Sequence, residues 1–381
     1  MKKYLTEMLT WPVLTGLVVG VLAPVLVKLG NPHNMGVCVA CFTRDIAGAL
    51  GFHRTGSVQY LRPEIMGIVL GSLAAGLVFR EFRPRTGSAP LVRFVLGFFA
   101  MIGALVFLGC PWRAYLRLSG GDWNALYGIL GLAAGIGAGV GFLKSGFSLG
   151  RSRPAAPALG WMMPAIMVGL LLLAVLAPQS GLAADGSPTG PVFFSTQGPG
   201  SQHAPWLSSL GVGLLLGFLA QRSRFCTVGA LRDVMLFRET HLLGGIVALM
   251  AAAFVTNVVL GEFHAGFENQ PVAHSNVLWN VGGMVLAGLA FTLAGGCPGR
   301  QLILSGEGDG DAALFVLGML AGAGAAHNFN MASSPAGPGA YGPAATLVGL
   351  VICTVLGFTM REVPEQRASA TGWGAASQVS K

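Results

Sequence analysis

Gly295-Gly296-Cys297-Pro298-Gly299-Arg300 closes one long apolar run of the chain and opens a new segment. An earlier apolar run closes the same way, with Gly109-Cys110-Pro111-Trp112-Arg113, so Cys-Pro-x-Arg occurs twice, 187 positions apart (297 − 110). A second pair of motifs keeps the period. Cys38 is followed six residues later by Arg44-Asp45, and Cys226 six residues later by Arg232-Asp233, an offset of 188 (226 − 38). Agreement in order, spacing and offset marks a duplicated chain, because similarity at a fixed period is the signature of internal repetition. The group common to all four motifs is the cysteine thiol.

Charged residues make up 10% of the 381-residue chain and hydrophobic ones 53%, with a mean hydropathy of +0.66. An ordinary soluble domain carries about 25% charge, and so little charged surface cannot cover this many apolar runs in water. The composition is that of an integral membrane protein with the lipid bilayer as its first partner. The net charge of +8 does not point to nucleic acid, because the basic residues stand at the ends of apolar runs rather than in one patch. Gly135, Gly137, Gly139 and Gly141 resemble a nucleotide fingerprint, but they lie inside an apolar run with no strand before them, which favours close helix packing. The first apolar stretch, Trp11 to about Leu29, follows Lys2 and Lys3 and reads as a transmembrane helix rather than a cleaved signal.

Ten spans are expected, at about 11–29, 62–80, 91–109, 122–143, 160–178, 206–221, 242–260, 277–295, 312–328 and 343–360. Arg80, Arg83, Arg85 and Arg93 crowd the second connection, and Lys144, Arg151 and Arg153 the fourth, so both are expected in the cytoplasm. Segments 179–205 and 261–276 carry no Lys or Arg and fall on the other side. Both termini are then cytoplasmic. Five spans per copy is an odd number, so the second copy inserts upside down.

The expected fold is therefore an all-α integral membrane protein of two inverted-topology repeats, each of about five helices with re-entrant half-helices carrying the cysteine motifs. The first repeat covers 1–178, an extracytoplasmic linker 179–205, the inverted repeat 206–361 and a cytoplasmic tail 362–381. Inverted repeats commonly hold a substrate near the membrane midplane. Segments 36–52 and 222–241 are too charged to span and read as half-helices, tolerated at membrane depth where buried in protein or lining a cavity.

Proline is favoured at the first helical position, so Cys110 and Cys297 are placed at helix N-termini, where free N–H groups and the dipole favour anions. A thiol there with Arg113 or Arg300 three residues on offers soft sulfur and positive field together. That pairing suits a small anion containing sulfur or selenium better than a hard oxyanion such as phosphate. Holding by S–H···S contacts and covalent exchange through a persulfide both stay open. Cys38, Cys110, Cys226 and Cys297 are the candidate substrate pathway, the first two approached from outside and the last two from the cytoplasm. Arg113 and Arg300 are candidate anion contacts, and Cys41, in Cys38-x-x-Cys41, a candidate redox partner. Cys353 reads as core. Arg44-Asp45 and Arg232-Asp233 read as ion pairs fixing the half-helices. The acidic run Gly306 to Asp311 lacks EF-hand spacing and reads as a turn. No metal or other cofactor is expected.

Asn34-Met35-Gly36-Val37-Cys38-Val39-Ala40-Cys41-Phe42-Thr43-Arg44-Asp45, Phe107-Leu108-Gly109-Cys110-Pro111-Trp112-Arg113, Gln221-Arg222-Ser223-Arg224-Phe225-Cys226-Thr227-Val228-Gly229 and the Cys297 motif together resemble the YeeE/YedE family of sulfur-transport membrane proteins, most closely its selenium-associated branch. The resemblance implies a bacterial inner-membrane protein with an hourglass of paired half-helices and a role in selenium uptake. From its thiosulfate-transporting members it implies a path along Cys38, Cys110, Cys226 and Cys297. It also implies a cytoplasmic sulfur- or selenium-carrier protein as partner. The chain departs from those members in Cys41 and in its two Pro-flanked cysteines, which favours a selenium compound over thiosulfate. The expected function is uptake of a small selenium- or sulfur-containing species, without enzymatic activity. The alternatives are a thiol oxidoreductase or sulfurtransferase using Cys38 and Cys41, and a non-transporting subunit of a selenium-metabolism complex.

Overall fold

The computed structural model describes residues 2–177, 179–180 and 190–361. The tail expected at 362–381 and most of the first half of the linker lie outside them. Helices occupy all ten expected spans: α1 (Lys2–Lys28), α3 (Pro63–Val78), α4 (Pro90–Phe107), α6 (Asn124–Lys144), α7 (Pro157–Leu176), α8 (Trp206–Ser223), α10 (His241–Leu260), α11 (Val277–Ala294), α13 (Gly310–Asn328) and α14 (Gly342–Thr359). Four short helices fall between them: α2 (Val39–Ala49), α5 (Pro111–Ser119), α9 (Thr227–Phe237) and α12 (Pro298–Gly306). Each half therefore runs long, short, long, long, short, long, long. The chain is an all-α, multi-pass integral membrane protein. Among the described residues, eight helical segments are long and apolar enough to cross a bilayer, two of them counted together with the following half-helix; α3 is shorter, at 16 residues, and α8 ends in the polar Gln221-Arg222-Ser223.

The packing repeats with the sequence. α1 lies on α10 and its counterpart α8 on α3; α6 lies on α11 and its counterpart α13 on α4. Missing side chains make these approaches possible: Cβ atoms on Gly16, Gly71, Gly97 and Gly135 would strike carbonyl oxygens of Gly245, Leu214, Phe315 and Val285. This is small-residue packing of the kind membrane helices use, and it accounts for the glycine run of α6. Gly16 faces Gly245 while Gly20 faces Leu249 and Ala253, so α1 and α10 run parallel. At the centre, Gly103 of α4 meets Ala287 of α11 while Gly283 reaches Phe107, so the counterparts α4 and α11 run antiparallel. That is the relation inversion requires. The last helix of each half departs from it, because α7 packs on α3, α12 and α13 whereas α14 packs on α4, α11 and α6.

Two faces follow from the loop contacts. On one, Arg83 donates its N–H to Glu307 O, Ala155 to Pro84 O and Ser148 to Met360 O. On the other, Ser195 donates to Gln59 O, Trp123 to Gly266 O and Ser333 to Leu105 O. The first face carries Arg80, Arg83, Arg85, Arg151, Arg153 and Arg224. The loops of the second at 190–205, 261–276 and 329–341 carry no Lys or Arg. The acidic run is a turn on the first face: Asp309 caps α13 and pairs with Arg85 (2.7 Å), and Asp311 accepts from Thr86, Gly87 and Ser88.

The helix breaks before the Cys-Pro motifs are built alike. α4 ends on Leu108 at φ +63° and α11 on Gly295 at φ +90°, the same position in each half. The next N–H, of Gly109 or Gly296, turns back to Ala104 O or Phe291 O. The left-handed residue reverses the chain, and the proline after each cysteine starts the half-helix.

Candidate functional site

All four motif cysteines are N-caps. Cys38 caps α2, Cys110 α5, Cys226 α9 and Cys297 α12. The sulfur of Cys38 accepts from Cys41 N–H (3.3 Å), that of Cys226 from Gly229 N–H (3.2 Å) and that of Cys297 from Arg300 N–H (3.4 Å). Each thiol thus sits where unpaired amides and the helix dipole favour negative charge. The proline signal revealed this for Cys110 and Cys297. Cys38 and Cys226 have no following proline, and their capping role was not legible.

The cysteines meet in two pairs. Cys38 Sγ stands 3.9 Å from Cys110 Sγ, and the Cys297 N–H reaches Cys226 Sγ at 3.4 Å. The loops entering Cys38 and Cys110 come from the Arg-poor face, and those entering Cys226 and Cys297 from the Arg-rich face. All four are buried free thiols, Cys226 the most exposed at 6%. Cys41 joins the first pair, one turn into α2, with its sulfur 3.5 Å from Arg113 Nη1. Cys353 is buried in α14, apart from both.

The two motif arginines serve differently. Arg113 is fully buried and donates to the carbonyls of Asn34, Leu108 and Val272, which ties α5 to two loops and holds charge beside the first pair. Arg300 pairs with Glu307 (3.3 Å), which Arg224 (3.4 Å) and Arg85 (3.7 Å) also approach. Arg85 and Arg224 are shared with Asp309 (2.7 Å) and Glu81 (2.9 Å), so Glu307 lies in an ion-pair network that also holds the Arg300 guanidinium near the second pair. Arg44 and Arg232 each chelate the neighbouring aspartate, at 2.7 and 2.8 Å, as ion pairs within the half-helices.

Aromatic residues that the motifs did not single out stand beside the second pair. The Trp112 indole packs on Gly299 and, edge to face at 5.7 Å, on Phe225. Tyr115, one turn further along α5, lies within electrostatic range of Cys297 and Cys226. The Trp112 Nε1 and the Tyr115 hydroxyl are buried and have no hydrogen-bond partner among the described residues. Their signal in the sequence was the mismatch of Trp112 with Gly299 at one motif position.

An integral membrane protein whose thiols cap four half-helices, paired from opposite faces, is the class these observations define. A family model described as "Sulphur transport" matches residues 222–361, which lie within the second half of the chain. A thiosulfate transporter TsuA of Spirochaeta thermophila is 34% identical over 101 residues, which is 26% of this chain and 30% of that protein. TsuA of Escherichia coli is 36% identical over 103 residues, 27% of this chain and 28% of that protein. The chain thus matches less than a third of the length of these curated relatives.

Proposed function

We propose that the protein is a membrane transporter of the sulphur-transport family that moves a small sulfur-containing anion along Cys38, Cys110, Cys226 and Cys297. The observation that carries this reading is the meeting of two capped thiol pairs approached from opposite faces of one helical layer. A soft, negatively charged sulfur finds at each pair a thiol to contact and a helix N-terminus to neutralise it. Two half-repeats running in opposite directions give each side of the membrane its own equivalent station. The named activity of the two TsuA relatives supports thiosulfate as the first substrate to examine, and selenite is the second, because Cys41 adds a third thiol beside the outer pair. The repeats are taken as 1–178 and 206–361. The Arg-rich face is assigned to the cytoplasm of a bacterial inner membrane, with both termini there. A sulfur- or selenium-carrier protein would draw substrate from Cys226 and Cys297. No enzymatic turnover is assigned.

Uptake of labelled thiosulfate, and of selenite in parallel, into proteoliposomes tests this. Wild type is expected to accumulate at least one of them, and Cys110→Ala and Cys297→Ala each to abolish it. Uptake that survives both substitutions in folded protein overturns the cysteine pathway.

A further inference from the structure

A cavity of about 260 Å³ opens on the Arg-poor face, and Arg44, Thr55, Ser57, Leu108 and His327 are among its lining residues. It differs from the larger cavity on that face, of about 340 Å³, whose Glu262 and Glu268 are unsuited to an anion. Its charge is set one layer down. Asp45 receives Arg44 on Oδ1 (2.7 Å) and Arg62 on Oδ2 (2.8 Å), and all three side chains are at most 2% exposed. Two guanidiniums on one carboxylate leave a positive charge in excess. Glu64 does not line the cavity; it is engaged by Asn31 and Ser209.

Side-chain nitrogens without partners point the same way. Arg62 spends its remaining nitrogens on Gln202 O and Pro199 O, whereas Arg44 Nη1 has no protein partner among the described residues. His327 stacks on His53 with ring centroids 4.5 Å apart, and its buried Nε2 also lacks a partner among them. His53 is committed, because its Nδ1 accepts from Thr55 N–H and its Nε2 then donates to Arg44 O. A buried polar atom left unpaired, as His327 Nε2 is, is costly, and a net positive cavity with a free guanidinium nitrogen is complementary to an anion's oxygens. Arg44 stands one turn along α2 from Cys41, and Leu108, another lining residue, has the carbonyl that Arg113 binds. The cavity therefore abuts the outer thiol pair.

We propose that this cavity is a capture site for a small oxyanion, held through its oxygen atoms by Arg44 Nη1, His327 Nε2 and the hydroxyls of Thr55 and Ser57. For its place ahead of Cys38 and Cys110 it rests on the transport reading; for its affinity it does not. Selection is thus divided: the cavity reads charge and oxygen, and the thiols read sulfur.

Calorimetric titration of the full-length, detergent-solubilised protein with sodium sulfate and sodium thiosulfate separates the two. Sulfate lacks a soft terminal sulfur and probes the cavity alone. Wild type is expected to bind both, His327→Ala and Ser57→Ala to weaken sulfate binding, the former by about tenfold or more, as for one lost hydrogen bond to a charged group. Cys110→Ala is expected to bind sulfate as wild type does while failing in thiosulfate uptake. No sulfate binding by wild type, or binding unchanged in both His327→Ala and Ser57→Ala with melting temperatures near that of wild type, overturns the capture site. Unimpaired uptake by Cys110→Ala would instead sink the thiol pathway and leave the capture site standing.

Discussion

The indole of Trp112 stands where a side chain on Gly299 would begin: a Cβ there would lie 2.8 Å from the indole Cζ2. The two residues hold the same position in the two Cys-Pro-x-Arg motifs, so the duplicated half-helices interlock by being unlike at one place. Phe225, packed nearly perpendicular to the indole at 5.7 Å, leaves the ring little room to retreat. Gly299→Ala is therefore expected to lower the melting temperature and to slow thiosulfate uptake. Trp112→Phe removes the colliding atoms, so the double variant is expected to recover part of both losses, a coupling that a double-mutant cycle measures. Strictly additive effects would show that the contact does not matter.

Asp45 and Asp233 are repeat equivalents with different surroundings. Asp45 is fully buried between Arg44 and Arg62, while Asp233 is 14% exposed and pairs with an Arg232 that is 26% exposed. Removing one partner of a buried ion pair costs about 3–5 kcal/mol, whereas a partly hydrated pair contributes about 1 kcal/mol or less. Asp45→Asn is expected to abolish recovery of folded protein or lower its melting temperature steeply, and Asp233→Asn to shift it by a few degrees at most. Size-exclusion profiles and thermal melts of the two variants check this, and equal losses would contradict it.

Most of the architecture was legible because membrane insertion writes itself into sequence as long apolar runs, basic loops and odd-numbered duplication. Helices at the ten expected places, eight of them in segments long and apolar enough to cross a bilayer, the antiparallel run of α4 and α11, and the placing of Cys38 with Cys110 and of Cys226 with Cys297 followed from those signals. What escaped were contacts with no period. Arg62 sits at the start of an apolar span and gives no sign that it shares Asp45 with Arg44. His53 and His327 are 274 residues apart (327 − 53), and only the packing of α13 against α2 brings their rings together. The unlike packing of α7 and α14 was also hidden, since lipid-facing helices of similar composition differ only in which neighbours they meet.

Two glycines of one run in α6 should answer differently to the same change. A Cβ on Gly135 would strike the Val285 carbonyl and lie 2.9 Å from Leu289 N, whereas one on Gly141 meets nothing within 4 Å. Gly135→Val is expected to force α6 and α11 apart and to abolish a monodisperse, stable preparation, because backbone cannot move aside as a flexible side chain can. Gly141→Val is expected to leave the melting temperature and uptake within error of wild type. Fluorescence-detected size exclusion with a temperature ramp distinguishes them, and similar behaviour would refute close packing at Gly135.

His53 gives the fold a dependence on pH. It lies in the loop after α2, where burial holds its imidazole below the ordinary value of about 6.5. Around it, Arg44 opposes protonation, Asp45 favours it, and the His327 ring stacks against it. A protonated ring would also lose Nδ1 as acceptor for the Thr55 N–H. The unfolded chain then binds this proton more readily than the folded one, so the stabilisation is complete above about pH 6.5 and is lost as pH falls through the depressed folded value. The loss approaches about 1.4 kcal/mol per pH unit for a single group between about pH 6.5 and the depressed folded value, and levels off below it. His203 and His274 are shifted the same way by burial, so wild type must be compared with His53→Gln. Between pH 7 and pH 5 the melting temperature of wild type is expected to fall more than that of the variant. Parallel curves would mean that His53 takes up its proton in the folded protein without penalty.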